Sequence, residues 1–194
     1  FTINEPAILT LNGSITSNYN GEDITCFGAA DGEVTLNTAG GTGNIEYSID
    51  GTTWNSTSVF PNLSSGTYTF SAKDANDCQI DTTITLNDPA DIGGVLSVTQ
   101  LVTCNGFANG LIVFNVDPTI TGTPFSGNQY DYYINGIGPQ TSSSFNNLPG
   151  DSLYLVTVSD ANGCTSVDSF YMPEPDAITF NVNVTSENYF NGFG

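Results

Sequence analysis

The sequence predicts an all-β protein made of tandem immunoglobulin-like β-sandwiches, each with about seven short antiparallel strands. Three observations carry this prediction. Apolar and polar residues alternate with a period of two in many short segments, and no segment shows a helical period. Turn dipeptides such as Asp-Gly, Asn-Gly and Gly-Gly separate these segments at intervals of about ten residues. The whole pattern then occurs twice within the 194 residues.

The repeat defines the predicted domain organisation. ITCFGAADGEVTL (24–36) aligns with VTCNGFANGLIVF (102–114), and DANDC (74–78) aligns with DANGC (160–164). Proline-containing linkers recur at 4–8, 87–92 and 173–178. We therefore expect the end of a preceding repeat or linker at 1–6, a first module at 7–88, a second module at 89–174, and the start of a third, truncated repeat at 175–194.

Alternation places the strands of each module in order. In the first module the predicted strands are EVTLN, IEYSID, TYTFSAK and IDTTITL, with Val34, Leu36, Tyr47, Phe70 and Leu86 among the inward positions. The second module keeps this pattern at Ile112, Phe114, Val116, Tyr130, Tyr132, Ile134, Tyr154, Val156 and Val158. It gains residues between 115 and 132, and its last strand, TSVDSFYM, alternates poorly. DAN-x-C falls between two strands, which predicts a hairpin tip, and Asn-Gly favours a type I′ turn.

Charge excludes several partners. The chain has 20 acidic residues, one lysine, no arginine and no histidine, which gives a net charge of -19. Phosphate backbones and anionic membrane surfaces are bound by Lys and Arg, so we expect neither a nucleic acid nor an anionic membrane surface as a partner. No apolar run is long enough to span a bilayer. The hydrophobic fraction of 38% is sufficient for a packed core.

The four cysteines are Cys26, Cys78, Cys104 and Cys164. Because the chain has no CxxC motif and no histidine, we do not expect a zinc or iron site. We expect disulfides instead, and disulfides indicate an oxidising, extracellular setting. Because two equivalent modules carry two cysteines each, we predict the bridges Cys26–Cys78 and Cys104–Cys164. Bridges between modules, such as Cys78–Cys104, are the alternative.

The order of motifs resembles the SprB repeat of very long surface adhesins in gliding Bacteroidota. The resemblance rests on TC-x-G, on the Tyr-x-Ile-Asp/Asn-Gly hairpin, on FPNLSSGTY and FNNLPGDSLY, and on DAN-x-C. It implies a cell-surface, outer-membrane-associated filament that is secreted by the type IX system and moved by the gliding machinery, with adjacent repeats as partners. Proteins of this phylum also carry O-glycans at Asp-Ser/Thr motifs, which makes Thr82 and Ser152 candidates.

The expected function is a structural and adhesive stalk that gives reach and attachment to an external polysaccharide or surface. The alternative is a carbohydrate-binding module that uses Trp54, Phe125 and Tyr133, although Trp54 also suits packing over an edge of its own sandwich. An enzyme is not expected, because histidine is absent and no carboxylate pair stands out.

No cofactor is expected apart from calcium. Asp88, Asp91, Glu174 and Asp176 lie at module junctions, where oxygen ligands from adjoining modules suit Ca²⁺. Asp74 and Asp160, at the hairpin tips, are further candidates. The other interpretations are a solvated linker at the junctions and carboxylates that cap the turns.

Overall fold

The computed structural model describes residues 5–183, and within them the secondary structure consists of strands without a helix. The first module contains β1 (Thr10–Ile15), β2 (Ala30–Ala39), β3 (Glu46–Ser48), β4 (Val59–Ser64), β5 (Gly66–Lys73) and β6 (Gln79–Leu86). The second contains β7 (Ile92–Gln100), β8 (Ala108–Thr121), β9 (Asp131–Ile134), β10 (Ile137–Gln140), β11 (Ser144–Pro149), β12 (Ser152–Ser159) and β13 (Thr165–Met172).

Each module is an antiparallel β-sandwich. In the first module a sheet with the order β1-β2-β4 faces a sheet with the order β3-β5-β6. In the second, β7-β8-β11 faces β10-β9-β12-β13. The predicted immunoglobulin-like class is therefore confirmed. The second module has the expected seven strands, whereas the described first module has six, because the segment after β3 forms only an isolated bridge between Tyr47 and Asn55.

The inward residues of each module form a core of their own. The first cluster contains Leu11, Ile24, Val34, Leu36, Tyr47, Phe60, Leu63, Phe70, Ala72 and Leu86. The second contains Ile92, Val102, Ile112, Phe114, Tyr130, Tyr132, Phe145, Leu148, Tyr154, Val156, Val158 and Met172. The period-two alternation thus places the expected residues inward. The division at residues 88 and 89 stays a prediction, in keeping with two cores that share no residue.

The register of β13 explains its poor alternation. Ser152 lies opposite Met172 and Ser159 lies opposite Thr165. Asp168 takes a position on the same side of the strand as Met172, where its carboxylate accepts a hydrogen bond from the N–H of Leu96 at 2.8 Å. A polar residue occupies that position because it satisfies a main-chain donor of β7.

The residues gained by the second module lie in two places. β8 has 14 residues where β2 has 10. The remainder forms the loop at 122–129, which is closed by a bridge between Phe125 and Gln129. Thr123, near the start of this loop, donates its N–H to Asp160 in the turn that precedes β13.

A tyrosine corner closes one end of each sandwich. The hydroxyl of Tyr68, on β5, donates to the main-chain oxygen of Ser64 at 3.0 Å. The hydroxyl of Tyr154, on β12, donates to the main-chain oxygen of Pro149 at 2.9 Å. Such a corner, in which a tyrosine bonds to the backbone a few residues upstream, is typical of immunoglobulin-like domains.

Most of the expected third repeat, at 175–194, lies outside the described residues, as does most of the segment at 1–6. Within the described part, residues 173–183 form no strand.

Candidate functional site at the module junction

Each module has a tight turn that starts at its first cysteine, here named the cysteine turn (residues 26–29 and 104–107). In the first cysteine turn, the N–H of Ala29 donates to the main-chain oxygen of Cys26 at 2.9 Å. The N–H of Gly28 donates to the carboxylate of Asp88, in the linker, at 3.1 Å. The other oxygen of Asp88 accepts from the hydroxyl of Ser65. The first cysteine turn therefore lies beside the linker to the second module.

The second cysteine turn repeats this arrangement. The N–H of Phe107 donates to the main-chain oxygen of Cys104 at 3.1 Å, and the N–H of Gly106 donates to the carboxylate of Glu174. The side-chain amide of Asn105 also donates to the main-chain oxygen of Pro175 at 3.1 Å. In both modules an acidic linker residue thus holds the cysteine turn against the end of the last strand.

The second cysteine of each module lies in a hairpin tip (residues 74–78 and 160–164). One carboxylate oxygen of Asp74 accepts the N–H groups of Asn76 at 2.9 Å and Cys78 at 3.0 Å, and the other accepts the N–H of Thr42 at 2.9 Å. Burial acts to raise the pKa of Asp74, but these donors hold it below its usual value. Asp74 is therefore a capping carboxylate, as its turn-capping interpretation required.

Asp160 holds the second hairpin tip in the same way. It accepts the N–H groups of Asn162 at 3.0 Å, Cys164 at 2.9 Å and Thr123 at 2.8 Å. Gly122, at the start of the loop, has a φ of +60°, and a Cβ there would lie 2.6 Å from an oxygen of Asp160. Glycine is needed at this position both for its backbone conformation and for the close approach.

The prediction of a type I′ turn at these tips is wrong. Only one tip residue has a positive φ in each module, Asp77 at 62° and Gly163 at 83°. The N–H of Asp77 donates to the main-chain oxygen of Asp74 at 3.0 Å. This is a three-residue hairpin loop with a left-handed residue at its end, a connection in which the capping aspartate fits.

A disulfide joins the two modules. Cys26, in the first cysteine turn, is bonded to Cys164, in the second hairpin tip, and their Cα atoms are 5.6 Å apart. Among the described residues the other two cysteines, Cys78 and Cys104, are free and exposed.

The predicted pairs Cys26–Cys78 and Cys104–Cys164 are therefore wrong, and the geometry of β6 gives the reason. Cys78 immediately precedes β6, whereas Asp88, which contacts the first cysteine turn, follows it. The eight residues of β6 extend about 26 Å. A disulfide needs Cα atoms within about 7 Å of each other, so cysteines at opposite ends of one strand cannot bond.

Side-chain amides accompany the bridge. The amide nitrogen of Asn162 donates to the main-chain oxygens of Tyr19 at 3.1 Å and Thr25 at 3.2 Å. The amide nitrogen of Asn20 donates to the amide oxygen of Asn162 at 2.6 Å. The junction is thus held by a peptide linker, a disulfide and a small polar network. Sequence analysis missed Asn20 and Asn162, and nothing in the alternation or the repeat distinguishes them.

Most of the predicted calcium ligands already accept hydrogen bonds from main-chain N–H groups. Asp74, Asp160, Asp88 and Glu174 accept the main-chain N–H groups described above, and Asp91 accepts its neighbour's N–H at 2.8 Å. Asp176 is exposed. Within residues 5–183 no group of three or more His, Cys, Asp or Glu side chains is placed to hold a metal ion. Calcium at the junction stays a prediction.

The three aromatic candidates lie apart from the junction bridge. Trp54 is partly buried, with the ammonium of Lys73 4.8 Å from its ring centroid, in agreement with packing over its own sandwich. Tyr133 lies on the outer face of its sheet opposite Thr157 and is half-buried. Phe125, in the loop at 122–129, is 38% exposed. Their role as ligand contacts stays a prediction.

The two glycosylation candidates are both partly buried. Thr82 lies opposite the core residue Phe70, and the hydroxyl of Ser152 donates to the main-chain oxygen of Gly150 at 3.1 Å. Modification at these residues stays a prediction.

The described part of the chain contains no helix with the length and hydropathy needed to cross a bilayer.

Comparison with known proteins gives a family for part of the first module. Residues 18–53 match the family profile described as the SprB repeat. The resemblance to the SprB repeat is therefore confirmed for this segment, which includes Cys26 and its turn. No curated protein matches the chain.

The solved structures that are similar to the chain include the following two. One contains fibronectin(III)-like modules of Clostridium thermocellum CbhA, with 15% identity and a TM-score of 0.37 over 84% of this chain and 94% of that one. The other is a C-terminal 282-residue fragment of intimin, in complex with the intimin-binding domain of the translocated intimin receptor. It shows 12% identity and a TM-score of 0.39, and the match covers 86% of this chain but only 64% of that one.

Proposed function

We propose that the chain is a segment of load-bearing stalk from a long, secreted cell-surface adhesin, in which tandem SprB-type modules give reach. The observation that carries the proposal is the doubly connected junction, where the linker at 87–91 and the Cys26–Cys164 bridge both join the modules. Two connections restrict bending and twisting far more than a single flexible linker does.

The surface chemistry supports an extracellular spacer. The net charge of -19 keeps crowded copies soluble and apart. A disulfide between modules persists in an oxidising compartment and is uncommon in the reducing cytosol. Export through the type IX system, association with the outer membrane, and movement by the gliding machinery are part of the proposal, and the SprB repeat supports them.

A catalytic role is not part of the proposal. The chain has no histidine and one lysine. That lysine, Lys73, contacts the carboxylates of Glu46 at 3.5 Å and Asp77 at 3.2 Å. Most described carboxylates near the junction accept main-chain N–H groups, which gives them a structural role.

The experiment that tests the proposal compares shapes in solution. Small-angle scattering of the oxidised chain should give a narrow distribution of module separations. The Cys26→Ser/Cys164→Ser variant should give a broader one, because the linker alone then joins the modules. A Cys78→Ser/Cys104→Ser variant is the matched control, with two cysteines removed and the bridge intact. Equal distributions for all three proteins would contradict a stiffened stalk.

One observation favours the alternative, direct binding of polysaccharide. The outer face of β12 and β13 carries four exposed apolar side chains, at Leu153, Leu155, Val167 and Tyr171. The equivalent face of β5 and β6 carries Thr67, Thr69, Thr83 and Thr85. Aromatic rings on such a face are suited to stacking on sugars, and Tyr133 lies on the same sheet.

The alternative is tested with surface variants. Tyr133→Ala and Tyr171→Ala should abolish retention of the chain on a polysaccharide column if this face binds sugar. Thr69→Ala and Thr83→Ala, on the first module, are the matched controls. Retention that is unaffected by the tyrosine changes would exclude this face. Deleting the whole loop at 122–129 is a poor test, because it removes the hydrogen bond from Thr123 to Asp160.

A further inference from the structure

The first hairpin tip lies beside a shallow depression of about 340 Å³, here named the socket. Its lining includes Glu5, Asn76 and Cys78, and all three residues are exposed. The internal repeat gives each of them an equivalent at the junction between the two modules. The socket can therefore be compared with a site in this chain whose contacts are formed.

At the junction the equivalents of these three residues hold the first cysteine turn. They are Asp88, Asn162 and Cys164. Asp88 accepts an N–H of that turn at 3.1 Å, and Asn162 donates to the main-chain oxygen of Thr25, just before it, at 3.2 Å. Cys164 forms the disulfide with Cys26. A carboxylate, an amide and a thiol thus bind one turn together.

The linkers place the acidic residue in the same way in both modules. Each linker contains an acid–proline pair, at 5–6, 88–89 and 174–175. After the first pair, the main-chain oxygen of Ala7 accepts the N–H of Gly41 at 2.9 Å. After the second pair, the main-chain oxygen of Asp91 accepts the N–H of Gly122 at 2.8 Å. Both glycines lie next to the residue that the capping aspartate binds, so Glu5 is carried to its hairpin tip as its equivalent is.

Unlike the junction, the socket faces solvent. Pro89 is buried, whereas its equivalent Pro6 is exposed. Within residues 5–183 the carboxylate of Glu5 and the side-chain amide of Asn76 make no hydrogen bond, and the thiol of Cys78 is free. The first hairpin tip therefore exposes the same three kinds of group that bind a cysteine turn at the junction.

We propose that the socket binds the cysteine turn of the module that precedes it in the same polypeptide, and that the cysteine of that turn forms a disulfide with Cys78. The partner has the chemistry of residues 25–28: a main-chain oxygen for the amide of Asn76, a thiol for Cys78, and a glycine N–H for Glu5. The inference rests on the proposed stalk function, which supplies the preceding module. It deepens that function by naming the covalent bond that joins successive modules.

The second cysteine turn offers the other half of the same contact. Glu174 holds it as Asp88 holds the first cysteine turn, and Cys104 is exposed. The repeat expected from residue 175 supplies the hairpin tip, and NGF at 191–193 aligns in sequence with NGF at 105–107. Cys104 is therefore paired with the hairpin-tip cysteine of the following module, and the bridges form a series along one polypeptide.

The two cysteine turns differ in the segment before them. Residues 16–25 separate β1 from the first turn, whereas only residues 101–103 separate β7 from the second. The second turn therefore has no counterpart of Asn20, whose amide donates to Asn162 at the junction at 2.6 Å. The first cysteine turn is the more complete partner for the socket, and for this reason the test uses it.

Formation of the bridge needs an oxidant, and a small-molecule disulfide such as oxidised glutathione supplies it. The thiolate of Cys78 attacks that disulfide, forms a mixed disulfide and releases one glutathione thiolate. The thiolate of the preceding cysteine turn then attacks the sulfur of Cys78 and releases the other glutathione. The two cysteines lose two electrons and two protons, and the two released glutathione thiols receive them.

The test lengthens the full chain by one module. Residues 6–88 are repeated once in tandem, so that Asp88 of the first copy is followed directly by Pro6 of the second copy. This joint keeps the acid–proline pair and puts a natural cysteine turn before the socket of the second copy. Cys78→Ser in the first copy leaves a single Cys78, and the protein is refolded with reduced and oxidised glutathione.

We expect Cys78 of the second copy to lose its reactivity with an alkylating reagent and to be recovered in a peptide linked to Cys26. Cys26→Ser in the first copy is the matched control. It should restore the alkylation of Cys78 and leave the peptide that links Cys164 to the Cys26 of the second copy. Alkylation of Cys78 without the control change would overturn the proposal, as would a Cys78–Cys104 peptide or a Cys78 that stays bonded in the control.

A second measurement separates recognition from thiol reactivity. Asn76→Ala in the second copy should lower the equilibrium constant for the bridge to Cys78, measured in glutathione buffers, several-fold. Asn76→Ala in the first copy is the matched control, because no module precedes that hairpin tip, and it should leave the constant unchanged. Equal constants for the two changes would overturn the proposal. The scattering experiment probes the Cys26–Cys164 bridge instead, so this inference and the proposed function fail separately.

Discussion

The side-chain amide of Asn162 donates to the main-chain oxygen of Thr25 at 3.2 Å, across the boundary between two separate cores. Thr25 directly precedes Cys26, and Asn162 lies two residues before Cys164. The contact therefore joins the two segments that carry the bridge.

Asn162→Ala should weaken the junction and leave both cores folded. It leaves the main-chain oxygens of Thr25 and Tyr19 without this donor, at a cost of about 1 kcal/mol for each hydrogen bond lost. Hydrogen exchange of residues around Cys26 measures the effect and should be faster. Asn76→Ala is the matched control, because Asn76 holds the same position in the first hairpin tip without that contact. Equal effects from both changes would contradict the role of Asn162.

Reduction should destabilise the chain through the junction bridge. Peptide mapping of the oxidised protein should recover Cys26 linked to Cys164, with Cys78 and Cys104 available to alkylation. Opening a loop of this length removes about 5 kcal/mol in the chain-entropy treatment of disulfides. Denaturant unfolding of the Cys26→Ser/Cys164→Ser variant measures the loss. Recovery of a Cys26–Cys78 peptide would contradict the structure.

Asp74→Asn should change how stability depends on pH. The pKa of Asp74 is lowered in the folded state, so the ionised carboxylate stabilises the fold above the ordinary value of about 3.9. This stabilisation is lost as the pH falls through the lowered pKa. The variant should therefore be less stable than the natural chain at neutral pH, with a smaller difference in acid. Urea unfolding over a series of pH values tests this, and a pH-independent difference would contradict it.

The two tyrosine corners should contribute comparably to their own modules. Tyr68→Phe and Tyr154→Phe each remove one hydroxyl whose hydrogen bond to the backbone is worth about 1 kcal/mol. Tyr133→Phe is the control, because the hydroxyl of Tyr133 makes no hydrogen bond among the described residues, and it should leave stability unchanged. Thermal unfolding of the three variants measures these differences, and an equal loss of stability in all three would contradict the role of the corners.

Salt should raise the melting temperature, because the net charge of -19 repels itself and one lysine offsets little of it. Thermal unfolding in a sodium chloride series measures this rise, and a calcium chloride series with and without a chelator tests for specific binding. A rise at low calcium concentration that a chelator reverses would support the predicted ligands, Asp91 and Asp176 among them, and an unchanged melting temperature would contradict them.

The sandwich architecture was predictable because alternation is a local property. Val34 and Leu36, or Val156 and Val158, point inward for the same reason that any strand separates its two faces. The tyrosine corners were also within reach, since Tyr68 and Tyr154 recur in the repeat at the start of the same strand.

The disulfide pairing was not predictable in the same way. The repeat shows that Cys26 is equivalent to Cys104, but equivalence does not say at which end of a module a residue lies. Placing Cys26 beside residue 88 depends on the hydrogen bond from Gly28 to Asp88, a contact between residues 60 positions apart. The assumption that each module closes its own bridge was therefore unsupported by the sequence. The prediction of a type I′ turn was wrong for a different reason, because the carboxylate of Asp74 fixes the conformation of the loop.

The bridge also decides which part of the polypeptide carries tension. When the two ends are pulled, force passes from the N-terminal strand to Cys26, crosses the sulfur atoms to Cys164, and leaves through β13. The chain between these cysteines, which are 138 residues apart, lies off this path. Unfolding it therefore cannot lengthen the molecule by the roughly 470 Å that this chain would span when extended. A filament with such bridges would resist stretching by its covalent bonds and release its hidden length only when reduced.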